Sequence, residues 1–199
     1  RDVDGEKGWE KDVEEGDLLV IAGGRVGRDG IHGVTESSLE FGEEITSGHV
    51  QIGDPFTQKK VQDFLVEARD EGLLKLAWDL GGGGLSSAVG ETAEFSDGCV
   101  IDLSKAPLKY EGLKPWEIMV SESQERMLLG IDRENLGRIG KLAAKHDVEV
   151  SAMGEYTNSG YVQVNYGDEV VGYLDIDFLH DGFPGYELDA VWSSPDPTE

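Results

Sequence analysis

"DPFTQKKVQDFLVEARDEGLLKLAWDLGGGGLSSAVG", residues 54–90, decides how the chain must fold. It opens on Asp54, a side chain suited to an N-cap, and Pro55, which fits the first helical position because no amide is needed there. Val61, Phe64, Leu65 and Ala68 recur at three-to-four spacing, so the spacing predicts a helix with one apolar face that Gly72 ends. "LLKLAW" (73–78) reads as a strand, Asp79 and the run Gly81–Gly84 follow, and "LSSAVGETAE" (85–94) reads as a second helix, with Gly90 its weak point. Helix, strand, glycine turn and helix in succession call for a sheet with helices packed on it.

The same alternation continues on both sides. "DLLVIAGG" (17–24) is a buried strand ending in glycine, and "RVGRDGIHGVTESS" (25–38) is a long glycine-rich loop of the kind that often carries function. "HVQIGD" (49–54) reads as a short strand and "CVIDL" (99–103) as another. "KPWEIMVSESQERMLLGI" (114–131) holds a helical turn, a polar patch and a strand. Asp132 is placed to cap a helix over 133–146 with Leu136, Ile139, Leu142 and Ala143 inward, and strands follow near 148–153, 161–166 and 169–174. The expectation is an α+β fold, a mixed sheet with packed helices, in one domain over residues 1–199 with its core at 16–192. "SSPDPTE" (193–199) reads as a frayed terminus, and a start at Arg1 rather than methionine reads as a piece excised from a longer protein.

Composition narrows the function. The net charge is −24, which argues against nucleic acid and anionic membranes, since phosphate-tracking surfaces are basic. No Lys or Arg follows Lys145, whereas twelve Asp and Glu do. Such a surface keeps a protein soluble, and a high-salt habitat or an acidic docking face would produce it too. No apolar run approaches the roughly 18 residues of a membrane span, and no signal peptide opens the chain. One cysteine, Cys99, allows no internal disulfide and suits a reducing cytoplasm.

Three stretches carry candidate chemistry. A strand, a glycine turn and a helix start form a natural anion site, because free backbone amides point at the ligand. Yet no Lys-Ser or Lys-Thr follows the glycines, and a dinucleotide fingerprint fails at Ser87. Gly81, Gly82, Gly83 and Gly84 therefore read either as a phosphate contact or as a place where backbone passes close to another element. Asp79, at a strand end, can hold Mg2+, which takes one or two carboxylates plus phosphate oxygens, or it can be an ordinary turn acid. In "SESQERM" (121–127), Glu122, Ser123 and Gln124 lie between two buried runs, where polar groups must be satisfied by a ligand or by their own backbone. Gln51 in "VQIGDPFTQKK" can donate and accept, or simply face solvent. His32, His49, His146 and His180 lack zinc-ligand spacing, Cys99 reads as a small core residue, and no Gly-x-Ser-x-Gly elbow occurs.

"GGRVGRDGIHG", "VQIGDPFTQKK", "WDLGGGGLSSA", "PWEIMVSESQERM" and "LHDGFP" occur in that order over nearly the whole chain. Together they resemble the synthetase-subunit family of phosphoribosylformylglycinamidine synthase. "SESQERM" with "GRDGIHG" separates it from the related aminoimidazole ribonucleotide synthetase, thiamine monophosphate kinase, selenophosphate synthetase and hydrogenase-maturation types. The resemblance implies the C-terminal-type domain of the first synthetase half, partly ferredoxin-like in fold, within a larger multidomain chain. It implies use of ATP to phosphorylate the amide oxygen of formylglycinamide ribonucleotide, with ammonia from a glutaminase domain or subunit then displacing phosphate.

By residue, the resemblance implies that Gln51, Glu122, Ser123 and Gln124 bind substrate and that Asp79 binds Mg2+. It implies no catalytic residue in this piece, because the family histidine and much of the ATP site lie in the preceding domain. Trp78 departs from the family, which often has glutamine before the aspartate and "GA" after it. Two other readings stand beside this one: a non-catalytic ligand-binding or interaction domain of the same fold, and a different ATP-using relative.

Overall fold

The computed structural model describes residues 12–31, 53–182, 185 and 189–192. Its strands are β1 (Leu18–Gly23), β2 (Leu76–Asp79), β3 (Cys99–Asp102), β4 (Arg126–Ile131), β5 (Val150–Tyr156), β6 (Tyr161–Tyr166) and β7 (Glu169–Asp175). Its α-helices are α1 (Pro55–Asp70), α2 (Leu85–Ala93), α3 (Pro115–Val120), α4 (Leu136–Lys145) and α5 (Ile176–Asp181). The strands form one seven-stranded mixed sheet in the order β2-β4-β1-β5-β3-β6-β7. β3 and β6 run parallel, and the other neighbours run antiparallel. This is the α+β architecture expected from the alternation of elements.

Side-chain parity along β1, an interior strand, explains the layers. In β1 every residue is buried, because helices cover both faces of the sheet there. Leu19 and Ile21 join the core beneath α2 and α3, with Leu128, Leu85, Val89 and Ile118. Leu18, Val20 and Ala22 join the core beneath α1 and α4, with Phe64, Ala68, Ile139 and Leu142. Asp54 caps α1 as expected, its carboxylate accepting from the Phe56 amide at 3.0 Å, and Val61, Phe64 and Ala68 are the buried face.

Several boundaries shift for local reasons. β2 begins at Leu76 rather than 73, because Leu73 still donates to the Ala68 carbonyl at 3.0 Å and closes the end of α1. The segment after Asp132 starts as a 3-10 turn (Arg133–Asn135), and α4 begins only at Leu136. Asp132 gives no side-chain cap; its carboxylate pairs with Lys75 at 2.9 Å instead. Val148 donates to Ala143 at 2.9 Å and belongs to the end of α4, so β5 starts at Val150 and extends to Tyr156. Gly53 and Asp54 lie in no strand, and residues 32–52 and 193–199 fall outside the described residues. α5 was not anticipated; Asp175 caps it, accepting from the Phe178 amide at 2.9 Å. α2 runs unbroken through Gly90, whose bare Cα lets the helix approach Leu179 of α5. Among the described residues no helix is long and apolar enough to cross a membrane.

Candidate functional site

Register brings the site to one edge of the sheet. Gly23, the last residue of β1, pairs with Arg126, the first of β4, and Asp79, the last of β2, pairs with Met127. The loops after β1 and β2 and the turn before β4 must therefore meet. The N-terminus of α1 joins them, because the Asp54 amide donates to Glu125 Oε1 at 2.9 Å.

The two turns singled out in the sequence touch each other. Glu122 Oε1 accepts from the Gly83 amide at 3.0 Å. A carboxylate next to the start of α2 is well placed against the helix dipole. Gly84 has φ +58°, and a Cβ there would lie 2.0 Å from the Ser121 carbonyl oxygen, so only glycine lets the turns close. The Gly84 amide bonds to Gly81 O at 3.0 Å. The amides of Gly83 and Gly84 thus already have protein partners, which narrows the phosphate-contact expectation to Gly81 and Gly82.

The 121–125 turn is held from inside. Ser123 is fully buried, 0% exposed; its Oγ accepts from the Gly27 amide at 2.9 Å and donates to Asp29. Its hydroxyl therefore serves the loop after β1. The Glu122 amide donates to the Asp29 carbonyl at 2.9 Å, tying the same two segments again. Burial alone would raise the Asp29 carboxyl, but bonds from Lys109 and Ser123 and the charges of Lys109 and Arg126 hold it below its ordinary value. Arg126, 3% exposed, donates from Nε to Ser123 O and from Nη2 to Ser121 O, both at 2.6 Å. Burial lowers its guanidinium to about 10, and Asp29 opposes the shift, so it stays charged at neutral pH. Arg28 of the same loop forms an ion pair with Glu117 of α3 at 2.7 Å.

Above this base lies a cleft of about 510 Å³, lined among others by Gln58 and Gln62 of α1, Asp79, Gly81, Gln124 and Glu125. The Asp79 carboxylate is exposed and forms no hydrogen bond or ion pair with another described residue. Gln124, also exposed, donates from Nε2 to the Glu122 carbonyl at 3.0 Å. Trp78 does not line the cleft. Strand alternation turns it to the other face, where its indole donates to Glu91 at 2.8 Å and its ring meets Phe95 edge-on at 6.1 Å. Gln51 lies outside the described residues, as do His32 and His49. Cys99 is buried, and burial raises its thiol to about 12, the behaviour of a core residue. Among the described residues no three His, Cys, Asp or Glu side chains could hold a metal by themselves.

Sequence reasoning missed Arg126, Asp29 and Glu125. One signal was available for Arg126. It shares parity with Leu128, so the alternation of β4 puts a cation on a buried face, where it needs several acceptors.

The chain is similar to known proteins in both sequence and fold. A phosphoribosylformylglycinamidine synthase subunit PurL from Methanopyrus kandleri is 44% identical over 176 residues, covering 86% of this chain and 24% of that protein. The subunit of the same description from Thermococcus sibiricus is 43% identical over 172 residues, covering 84% and 24%. The chain thus spans about a quarter of the length of these curated relatives. A solved structure of T. maritima PurL complexed with FGAR superposes with a TM-score of 0.83 at 34% identity, covering 94% of this chain and 31% of that one. Residues 14–167 match the family described as AIR synthase related protein, C-terminal domain, and the chain belongs to that family.

Proposed function

We propose that these 199 residues are one domain, with its core at 16–192, of a cytoplasmic ATP-dependent ligase that converts formylglycinamide ribonucleotide to the amidine in purine biosynthesis. The observation that carries the reading is the cleft itself, where Asp79 from the end of β2, Gly81 and Gln124 from the turn before β4 line one space of about 510 Å³. The T. maritima relative, named for its complex with FGAR, supports the substrate class.

Each side chain has a role that suits its chemistry. Gln124 and Gln51 supply amide donors and acceptors to an amide-bearing ribonucleotide. Glu122, fixed at Gly83, presents a carboxylate to hydroxyls, and Ser123 supports the turn from beneath. Asp79 fits Mg2+, as a single exposed carboxylate whose remaining partners would be phosphate oxygens and water. Bound there, the ion neutralises phosphate charge. The other domains of the parent chain would complete the ATP site, and a glutaminase domain or subunit would deliver ammonia. The amide oxygen takes the γ-phosphoryl group and ADP leaves; ammonia then adds at carbon, and phosphate and a proton depart.

The test is amidine and ADP formation from formylglycinamide ribonucleotide, ATP and ammonia by the full-length parent, with the isolated 199 residues inactive. Asp79→Asn in the parent should lower magnesium-dependent turnover about 100-fold while leaving its melting temperature nearly unchanged. Amidine formation by the isolated piece, or unchanged turnover of the variant across a magnesium titration, would refute the corresponding part.

A further inference from the structure

We propose that Arg126 is a positioning residue for the ribonucleotide: its buried guanidinium fixes the 121–125 turn and so sets where Glu122 and Gln124 meet the ligand. The inference rests on the ligase reading above. It begins from an imbalance. Arg126 is 3% exposed, and its Nη1 is buried with no hydrogen-bond partner among the described residues. Buried donors are nearly always paired, so Nη1 carries a cost, whereas an aliphatic side chain here would avoid that cost but leave the Ser121 and Ser123 carbonyls without their donor. The bonds of the other two nitrogens offset the cost of the orphaned one.

Those two nitrogens grip alternate carbonyls of one turn, Ser121 O and Ser123 O, each at 2.6 Å. Between those carbonyls stands Glu122, whose carboxylate reaches Gly83, and immediately after them stands Gln124, which lines the cleft. The turn needs such a grip. Glu125 adopts φ +56°, a left-handed conformation that a non-glycine residue holds only when its surroundings enforce it. The gripped carbonyl of Ser121 is also the atom against which Gly84 closes. Ser123, gripped through its carbonyl, is linked through its hydroxyl to Gly27 and Asp29. One guanidinium therefore sets the relative placement of the loop after β1, the glycine turn and the polar turn. Lysine would keep the charge near Asp29 but cannot span both carbonyls with a rigid fork.

In the full-length parent, Arg126→Lys should raise KM for the ribonucleotide about tenfold, with KM for ATP within about twofold and kcat within about threefold of the unmodified enzyme. Hydrogen exchange at residues 122–125 should quicken in the same variant. An unchanged ribonucleotide KM, or equal rises in both KM values, would overturn the proposal. If the variant does not fold, the unmodified parent still decides the matter: the ribonucleotide must slow exchange at 122–125, and no change there overturns it. Amidine formation by the unmodified enzyme with an unaltered Arg126→Lys removes the positioning role alone. A parent that forms no amidine removes the ligase reading and this role together.

Discussion

Two turns meet at the cleft, and they are built by opposite means. The 81–84 turn works through absent side chains: Gly84 has φ +58°, and its bare Cα lets the Ser121 carbonyl approach. The 121–125 turn works through side chains that are present and nearly all bonded. Glu122 reaches Gly83, Ser123 reaches Gly27 and Asp29, and Arg126 holds two carbonyls from below. A backbone turn tolerates no added atom. A side-chain turn can lose one group and keep most of its bonds. The two should therefore fail differently under mutation.

The largest effect is expected at the backbone turn. Gly84→Ala would put a methyl group 2.0 Å from the Ser121 oxygen at a positive φ, so the turns must separate. The combined clash and backbone strain should cost about 3 kcal/mol or more. Denaturant unfolding should show a lower midpoint at an unchanged slope. Gly72→Ala is the control, with φ +69° but nothing within 4 Å of the added carbon, and its loss should be about 1 kcal/mol. Equal losses at the two positions would mean that close approach is not what position 84 requires.

The contrast also separates what the residues disclosed in advance from what they could not. Local rules were sufficient where the interaction is local. Asp54 and Pro55 start α1, the period of Val61, Phe64 and Ala68 gives its buried face, and the unbroken apolar run of β1 matches a strand covered on both sides. The polar patch at 121–125 was legible as a group needing partners. Its partners were not, because Gly83, Gly27 and Asp29 arrive through sheet register rather than sequence proximity. The same limit hid the burial of Ser123, whereas the reading of the glycine run as a place where backbone passes close to another element holds at Gly84, with the Ser121 carbonyl as the partner that sequence could not name. Asp132 failed as a cap because a distant lysine, Lys75, claims its carboxylate. Trp78 departs from the family beside Asp79, and strand parity turns it away from the cleft toward Glu91.

A smaller and more selective effect is expected from the side-chain turn. Gln124→Ala removes an exposed side chain whose amide bonds to the Glu122 carbonyl, so the fold should be nearly unaffected. Loss of its polar contacts to the ribonucleotide should raise that KM about tenfold, the equivalent of one good hydrogen bond, with kcat changed less. An unaltered apparent affinity in the full-length enzyme would remove Gln124 from the substrate site. A stability loss as large as that of Gly84→Ala would erase the distinction between the turns.

The smallest effect is a pH dependence confined to the polar turn. Asp29 bonds to Ser123 and Lys109, and its carboxyl is held below its ordinary value of 3.8 because these bonds and nearby positive charge outweigh its burial. A carboxyl depressed on folding adds stability above its unfolded value and loses it as pH falls through the folded one. The wild type should therefore exceed Asp29→Asn by a constant margin from neutral pH down to the region of 3.8, and the margin should shrink below it. The asparagine keeps an oxygen that can accept from Ser123 but carries no charge to answer Lys109 and Arg126. Paired denaturant titrations across that range would measure the difference. A margin that stays flat with pH would show that the hydroxyl bond alone holds this turn to the loop after β1, and that the charge of Asp29 contributes nothing to it.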